Sequence, residues 1–230
     1  MAKKNDSGKE LRWVKNVMGK ISGEENIFEI PPKVLRMYQA VMELIEEGED
    51  PNLLRVSTIT ERAGIGKGTA YEYFGSKEEI IVCSIVYQMQ ATVSAMEQKL
   101  QRKVSFQEKL DCLLDEAGVQ KGKKSCFLKL VHLLTDNSEL SFQVRGKLDS
   151  ELFRQYGIMQ FFRRILSEAV ESGELRADLP LDYMLFSLVS RILSYMLLLS
   201  TDGPQVERSH MRELVYQGIL EELCEKRVRS

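Results

Sequence analysis

The chain has 230 residues, with Lys+Arg 32 against Asp+Glu 34 for a net charge of −2, and 43% of its residues are hydrophobic. This is the balance of an ordinary globular protein with enough apolar material to bury a core, so disorder and collagen-like repeats are excluded and one large or two small domains are expected. Four cysteines, at 83, 112, 126 and 224, lack the C-x-x-C spacing of zinc or dithiol chemistry; a reducing, cytoplasmic setting without a cofactor or metal is the expectation.

In chain order, residues 1–30 form a basic N-terminal extension. Lys3, Lys4, Lys9, Arg12, Lys15 and Lys20 outnumber Asp6 and Glu10, and Leu11, Val14, Val17, Met18 and Ile21 have the spacing of a short amphipathic helix carrying Trp13. A solvated or loosely docked arm is expected, with contact to DNA phosphates as the sharper alternative. The stretch has no apolar run of the kind a signal peptide needs.

A helix is predicted over Lys33 to Glu47, then a loop, then two short helices separated by Ala63-Gly64-Ile65-Gly66. The residue types suit a helix-turn-helix: Ala63 where helices cross closely, Gly64 for the backbone reversal, and Ile59, Ile65 and Phe74 to lock the angle. Gly66-Lys67-Gly68-Thr69 starts the second short helix, with free N–H groups facing outward and little steric bulk. Ser76 and Glu79 then form a capping box that places the next helix's first turn at Lys77, and Ile81, Ile85, Met89, Thr92, Met96 and Leu100 continue it at three- and four-residue spacing.

Further helical patterns cover Ser105 to Gly118, Ser125 to Leu134, Leu148 to Ser172, Leu181 to Ser200 and Val206 to Lys226, broken by Gly, Pro or the Asp136-Asn137-Ser138 cluster. No two-residue alternation interrupts them, so the fold class is all-α. Met184 to Leu199 is strongly apolar but holds Arg191 and is short for a membrane helix, so no membrane is expected as a partner. The last helix has Met211, Leu214, Val215, Gly218, Ile219 and Leu223 along one face beside this apolar neighbour, which suggests self-association through the last two helices.

Catalytic signals are lacking. His132 and His210 are the only histidines, neither has a metal-ligand partner at helical spacing, and no Gly-x-Ser-x-Gly or phosphate-cradling loop occurs; the chain is not expected to be an enzyme. Cys112 and Cys126 as a redox switch weigh less than buried cysteine as a small hydrophobe. Arg191 is suited to an anionic effector or to a carboxylate at a dimer interface. Met89, Met96, Phe127, Phe161, Phe162 and Met184 are candidates for an adaptable apolar effector pocket, with plain core as the alternative.

The run Ile59-x-x-x-Ala63-Gly64-Ile65-x-Lys67-Gly68-Thr69-x-Tyr71-x-Tyr73-Phe74-x-Ser76-Lys77-Glu78-Glu79-Ile80 resembles the signature of the tetracycline-repressor (TetR) family of transcription regulators. The resemblance implies a three-helix DNA-binding domain at 31–78 and a larger effector-binding and dimerisation domain at 79–230. It implies a homodimeric repressor on double-stranded DNA, a palindromic operator, and release by a small, largely apolar effector. Lys67, Gly68 and Thr69 would start the recognition helix in the major groove, and Tyr71, Tyr73 and Lys77 would clamp backbone phosphates. Arg55 stands where the family commonly has a capping threonine, so the cap is expected to pass to Ser57 or to Thr58 with Glu61, and these two join the candidate DNA-binding residues. The loop Gly48 to Leu54 is longer than usual, Thr60 replaces an alanine, and Glu72 opposes the positive charges. A helical dimeric interaction module with a filled pocket, controlled by a protein partner or constitutive, is the alternative function.

Overall fold

The structure is a computed structural model that describes residues 30–119, 133, 135–149, 157–199 and 207–224. Among the described residues the regular structure is all helical: α1 Pro32–Glu47, α2 Val56–Ala63, α3 Lys67–Tyr73, α4 Lys77–Leu100, α5 Phe106–Val119, α6 Glu139–Leu148, α7 Ile158–Glu171, α8 Leu181–Leu199 and α9 Arg208–Leu223. The chain divides into two compact units, one of residues 1–91 with 126–156 and one of 92–125 with 157–230. The helix α4 contributes its first fifteen residues to one unit and its last nine to the other.

In the first unit, α1 begins on prolines, whose fixed φ suits a helix start, and stops at Gly48, whose φ of 113° lets the chain reverse while the Gly48 and Glu49 N–H groups close on Ile45 and Leu44 carbonyls. Its face Val34, Met37, Tyr38, Val41, Leu44 and Ile45 is buried at three- and four-residue spacing. It packs in one core with Ile59, Ala63, Ala70 and Phe74, with Ile80 to Cys83 of α4, and with Leu140 and Val144 of α6.

The second unit encloses Leu110 and Leu114 of α5, Phe161, Phe162, Ile165 and Leu166 of α7, Met184, Leu188 and Ile192 of α8, and Ile219 and Leu223 of α9. A turn at Ser172–Arg176 ties three helices. Gly173 takes φ 75°, the Glu174 carboxylate accepts from the Phe106 N–H at 2.7 Å at the head of α5, and the Arg176 N–H donates to the Leu223 carbonyl at the end of α9.

Several expectations need correction. The predicted helix Leu148 to Ser172 is not continuous from its start: Leu148 ends α6, Gly157 caps α7, and α7 begins at Ile158. The Asp136-Asn137-Ser138 cluster both breaks the chain and starts a helix, because the Ser138 hydroxyl accepts from the Ser141 N–H and opens α6. Thr92 is exposed and Val93 takes its place in the buried stripe of α4. Ser125 to Leu134 lies outside the described residues except for Leu133, and so do the basic arm, Trp13, Cys126, Phe127 and His132. By length and composition α4 and α8 both reach what a membrane-crossing helix needs, against the expectation that α8 is too short.

Candidate nucleic-acid interface

Arg55 is the N-cap of α2, with no side-chain cap bond, so neither Ser57 nor Thr58 takes over the capping role. Both lie inside the helix's first turn. Thr58 is exposed, and the Ser57 carbonyl accepts from the Thr60 hydroxyl at 3.1 Å. That bond satisfies the hydroxyl of Thr60, which is buried where an alanine would need no partner. At the other end of α2, Gly64 adopts φ 64°, and the Gly64 and Ile65 N–H groups close on the Glu61 and Thr60 carbonyls. A side chain at this φ is strained, which accounts for glycine at the reversal.

The helix α3 starts at Lys67 on Gly66, again with no side-chain cap for its first N–H groups. A Cβ built at Gly66 or Gly68 meets nothing within 4 Å, so this face of the helix is open. Lys67 and Gly68 are exposed, Thr69 is half-buried, and Tyr71 is 56% exposed. Ala70 and Phe74 turn inward and are fully buried, while Tyr73 packs partly against the same core. The Phe74 ring lies 6.1 Å from that of Tyr38, and Tyr38 in turn lies 5.3 Å from Tyr87. Core and outward faces of α3 are therefore separated as a groove-reading helix needs.

The capping box at α4 forms with one change. The Glu79 N–H donates to the Ser76 hydroxyl at 3.1 Å, but the Glu79 carboxylate accepts from the Gly75 N–H at 2.6 Å. The Lys77 ammonium is occupied inside the protein: it donates to the Asn52 carbonyl at 2.8 Å and lies 3.5 Å from the Glu78 carboxylate. Arg62 is occupied too. Its guanidinium grips Glu47 through two bonds of 2.7 Å and reaches Glu43 at 3.5 Å, and it holds the Glu47 carboxyl below the usual carboxylate range. Neither pairing was visible in the sequence. The partners lie 25, 15 and 19 residues away, and only the packing of α1 against α2 and the path of the long loop bring them together.

Cys83 is fully buried, and desolvation pushes its thiol up to about 12, so it is a small core hydrophobe at neutral pH. The described effector-pocket candidates divide between the two cores. Phe161, Phe162 and Met184 are buried in the second unit, with Met96 packed against the same core, whereas Met89 packs against the core of the first unit. Arg191 is paired within its own chain, with Glu222 of α9 at 2.5 Å. The same carboxylate accepts from Tyr183 at 2.5 Å and Ser187 at 2.8 Å. Among the described residues no cluster of three or more His, Cys, Asp or Glu is placed to hold a metal.

These short helices, the glycine reversal and the open outward face of α3 define a helix-turn-helix DNA-binding domain. Over residues 39–82 the chain matches the bacterial regulatory proteins of the tetR family. It is 27% identical over 150 residues to the fatty acid metabolism regulator protein of Bacillus subtilis (strain 168), across 64% of this chain and 73% of that one. The transcriptional regulator FadR from Bacillus subtilis, solved in complex with stearoyl-CoA, shares the fold with a TM-score of 0.62 at 22% identity, covering 81% of this chain and 97% of the other. A transcriptional regulator from Saccharomonospora viridis solved with choline gives a TM-score of 0.65 at 15% identity, over 84% and 98%.

Proposed function

We propose that the protein is a homodimeric repressor of the bacterial cytoplasm that binds a palindromic operator and leaves it when a long-chain acyl-CoA binds. Residues 31–78 would act as the reader and residues 79–230 as the effector-binding and dimerising part. The observation that carries the DNA reading is α3, with its uncapped start and the open face at Gly66 and Gly68. Lys67, Gly68 and Thr69 meet base edges in this reading, Tyr71 and Tyr73 donate to phosphates, and Ser57 and Thr58 flank the groove at the start of α2. Self-association is supported by α8, whose most apolar window is only 28% buried within the chain, with Phe186 and Leu197 exposed. Two-fold symmetry then favours a palindrome with half-sites one helical turn, about 34 Å, apart or a multiple of it.

The acyl-CoA class comes from the fatty acid regulator that the chain resembles and from the stearoyl-CoA held by the structural relative. The aromatic and thioether side chains of Phe161, Phe162 and Met184 in the second unit are chemically suited to an acyl chain. Binding can weaken the DNA complex only by favouring a conformation that fits DNA less well. The test is fluorescence anisotropy on DNA from upstream of the protein's own gene, titrated with stearoyl-CoA, with coenzyme A and choline as controls. Release by stearoyl-CoA alone supports the proposal. Sequence-dependent DNA binding indifferent to all three removes the acyl effector and leaves the regulator.

A further inference from the structure

Of the four cations at residues 55 to 77, two have acceptors inside the protein, and for the other two none is found among the described residues. Arg62 is held by Glu47 and Glu43, and Lys77 by the Asn52 carbonyl, whereas Arg55 and Lys67 are exposed. The Lys77 bond reaches into the long loop. That loop is otherwise fixed by a short turn in which the Asn52 N–H donates to the Asp50 carboxylate at 2.9 Å and the Leu53 N–H to the Asp50 carbonyl at 3.0 Å. Leu54, only 3% exposed, plugs the core immediately before Arg55. The Arg55 carbonyl accepts the first helical bond of α2, from the Ile59 N–H at 3.1 Å.

We propose that Lys77 is a positioning residue that braces the α1–α2 loop, and that Arg55, three residues beyond the braced carbonyl, supplies the phosphate contact at this edge of the reader. The inference rests on the DNA-reading assignment and amends it at one residue. The ammonium of Lys77 already has a carbonyl and a carboxylate beside it, so moving to a phosphate would give up a charge-assisted bond and release the loop. The Arg55 guanidinium has no such bond to lose. Its planar fork matches phosphate geometry, and it sits at the positive end of α2 without competing with a cap.

The two roles separate by salt dependence, because a phosphate contact contributes about 0.9 to the slope of log affinity against log salt and a brace contributes nothing. In the full-length protein, Arg55→Gln is expected to make the slope shallower by about 0.9 for each copy bound to the operator. Lys77→Met is expected to weaken binding about three- to tenfold at unchanged slope, and to speed amide hydrogen exchange across residues 48–55. Lys77→Gln, which keeps a neutral donor, is expected to leave the slope unchanged too, and covers the case in which Met perturbs folding. A slope that falls with Lys77→Met and Lys77→Gln, with exchange at 48–55 unaltered, overturns the proposal. A wild type without sequence-dependent, salt-dependent binding overturns the DNA reading itself and the role of Arg55, while the exchange of residues 48–55 still decides the brace.

Discussion

Helices of eight and seven residues at α2 and α3 in the first unit stand against helices of 14 to 19 residues at α5 and α7 to α9 in the second. Isolated helices as short as α2 and α3 are marginal in water, so their geometry is held by side chains in the common core and by backbone caps at glycine. The longer helices are tied by ion pairs between distant parts of the chain. Arg212 of α9 binds Asp111 and Asp115 of α5, Lys109 of α5 binds Glu168 of α7, and Arg164 of α7 pairs with Glu97 of α4. The reader is thus a small object in which each buried residue matters. The second unit spreads its stability over many contacts between distant parts of the chain.

The largest test of this contrast is Phe74→Ala. The ring is fully buried and tilted against that of Tyr38 at the junction of α3 with the core, so its loss is expected to cost about 3–5 kcal/mol and to abolish DNA binding. Urea denaturation and anisotropy on the same sample check it. A variant that keeps wild-type stability would mean that the short helices are held by something other than this core. Next in size is Gly64→Ala, where φ 64° imposes a left-handed backbone on a residue with a Cβ; about 1–2 kcal/mol is expected, although nothing lies within 4 Å of that Cβ. Full retention of stability would show that the turn can re-form in another conformation.

In the second unit Glu222 accepts from Tyr183, Ser187 and Arg191, and the Arg191 guanidinium lies over Gly218, where a Cβ would sit 2.7 Å from it. Because Arg191 is 40% exposed, the network is screened by water, and Glu222→Gln is expected to cost about 1 kcal/mol in thermal or urea unfolding. A cost as large as that of Phe74→Ala would erase the contrast between concentrated and distributed stability. Sedimentation of Glu222→Gln alongside separates a local loss from a loss of self-association.

What could be read from the sequence follows the same division. In the reader, Gly64, Ser76 and Glu79 bond to neighbours within five residues, so spacing alone places them, and the apolar pattern marks Ile59, Ala63 and Phe74 as core; the reversal at Gly64, the buried Ile59 and Phe74, and the Ser76 cap are all found in the structure. The start of α6 was missed for a local reason. Asp136-Asn137-Ser138 has the composition of a break, and only the Ser138 bond to the Ser141 N–H shows that it also starts a helix. The partner of Arg191 lies 31 residues on, and its choice of an own-chain carboxylate depends on how α8 and α9 pack. The described pocket candidates divide between the two cores for a related reason. Helical spacing puts Met89 and Met96 on one side of α4, but the helix passes from one core to the other between them.

The smallest expected effect concerns Arg62, whose pairing with Glu47 and Glu43 pins α2 to α1 at the protein surface. Arg62 holds the Glu47 carboxyl below its usual range, so the pair contributes its full stabilisation above the ordinary carboxylate pKa. That contribution is lost as pH falls through the depressed value in the folded protein, where Glu47 takes up a proton. The difference in melting temperature between wild type and Arg62→Ala should therefore be small at neutral pH, shrink further on acidification, and also shrink in high salt. A difference constant across pH and salt would assign the effect to the aliphatic stem of Arg62 packed on α1 and not to its charge. The reader would then be held by apolar contact at its surface as well as in its core, and the contrast with the ion-paired second unit would be sharper still.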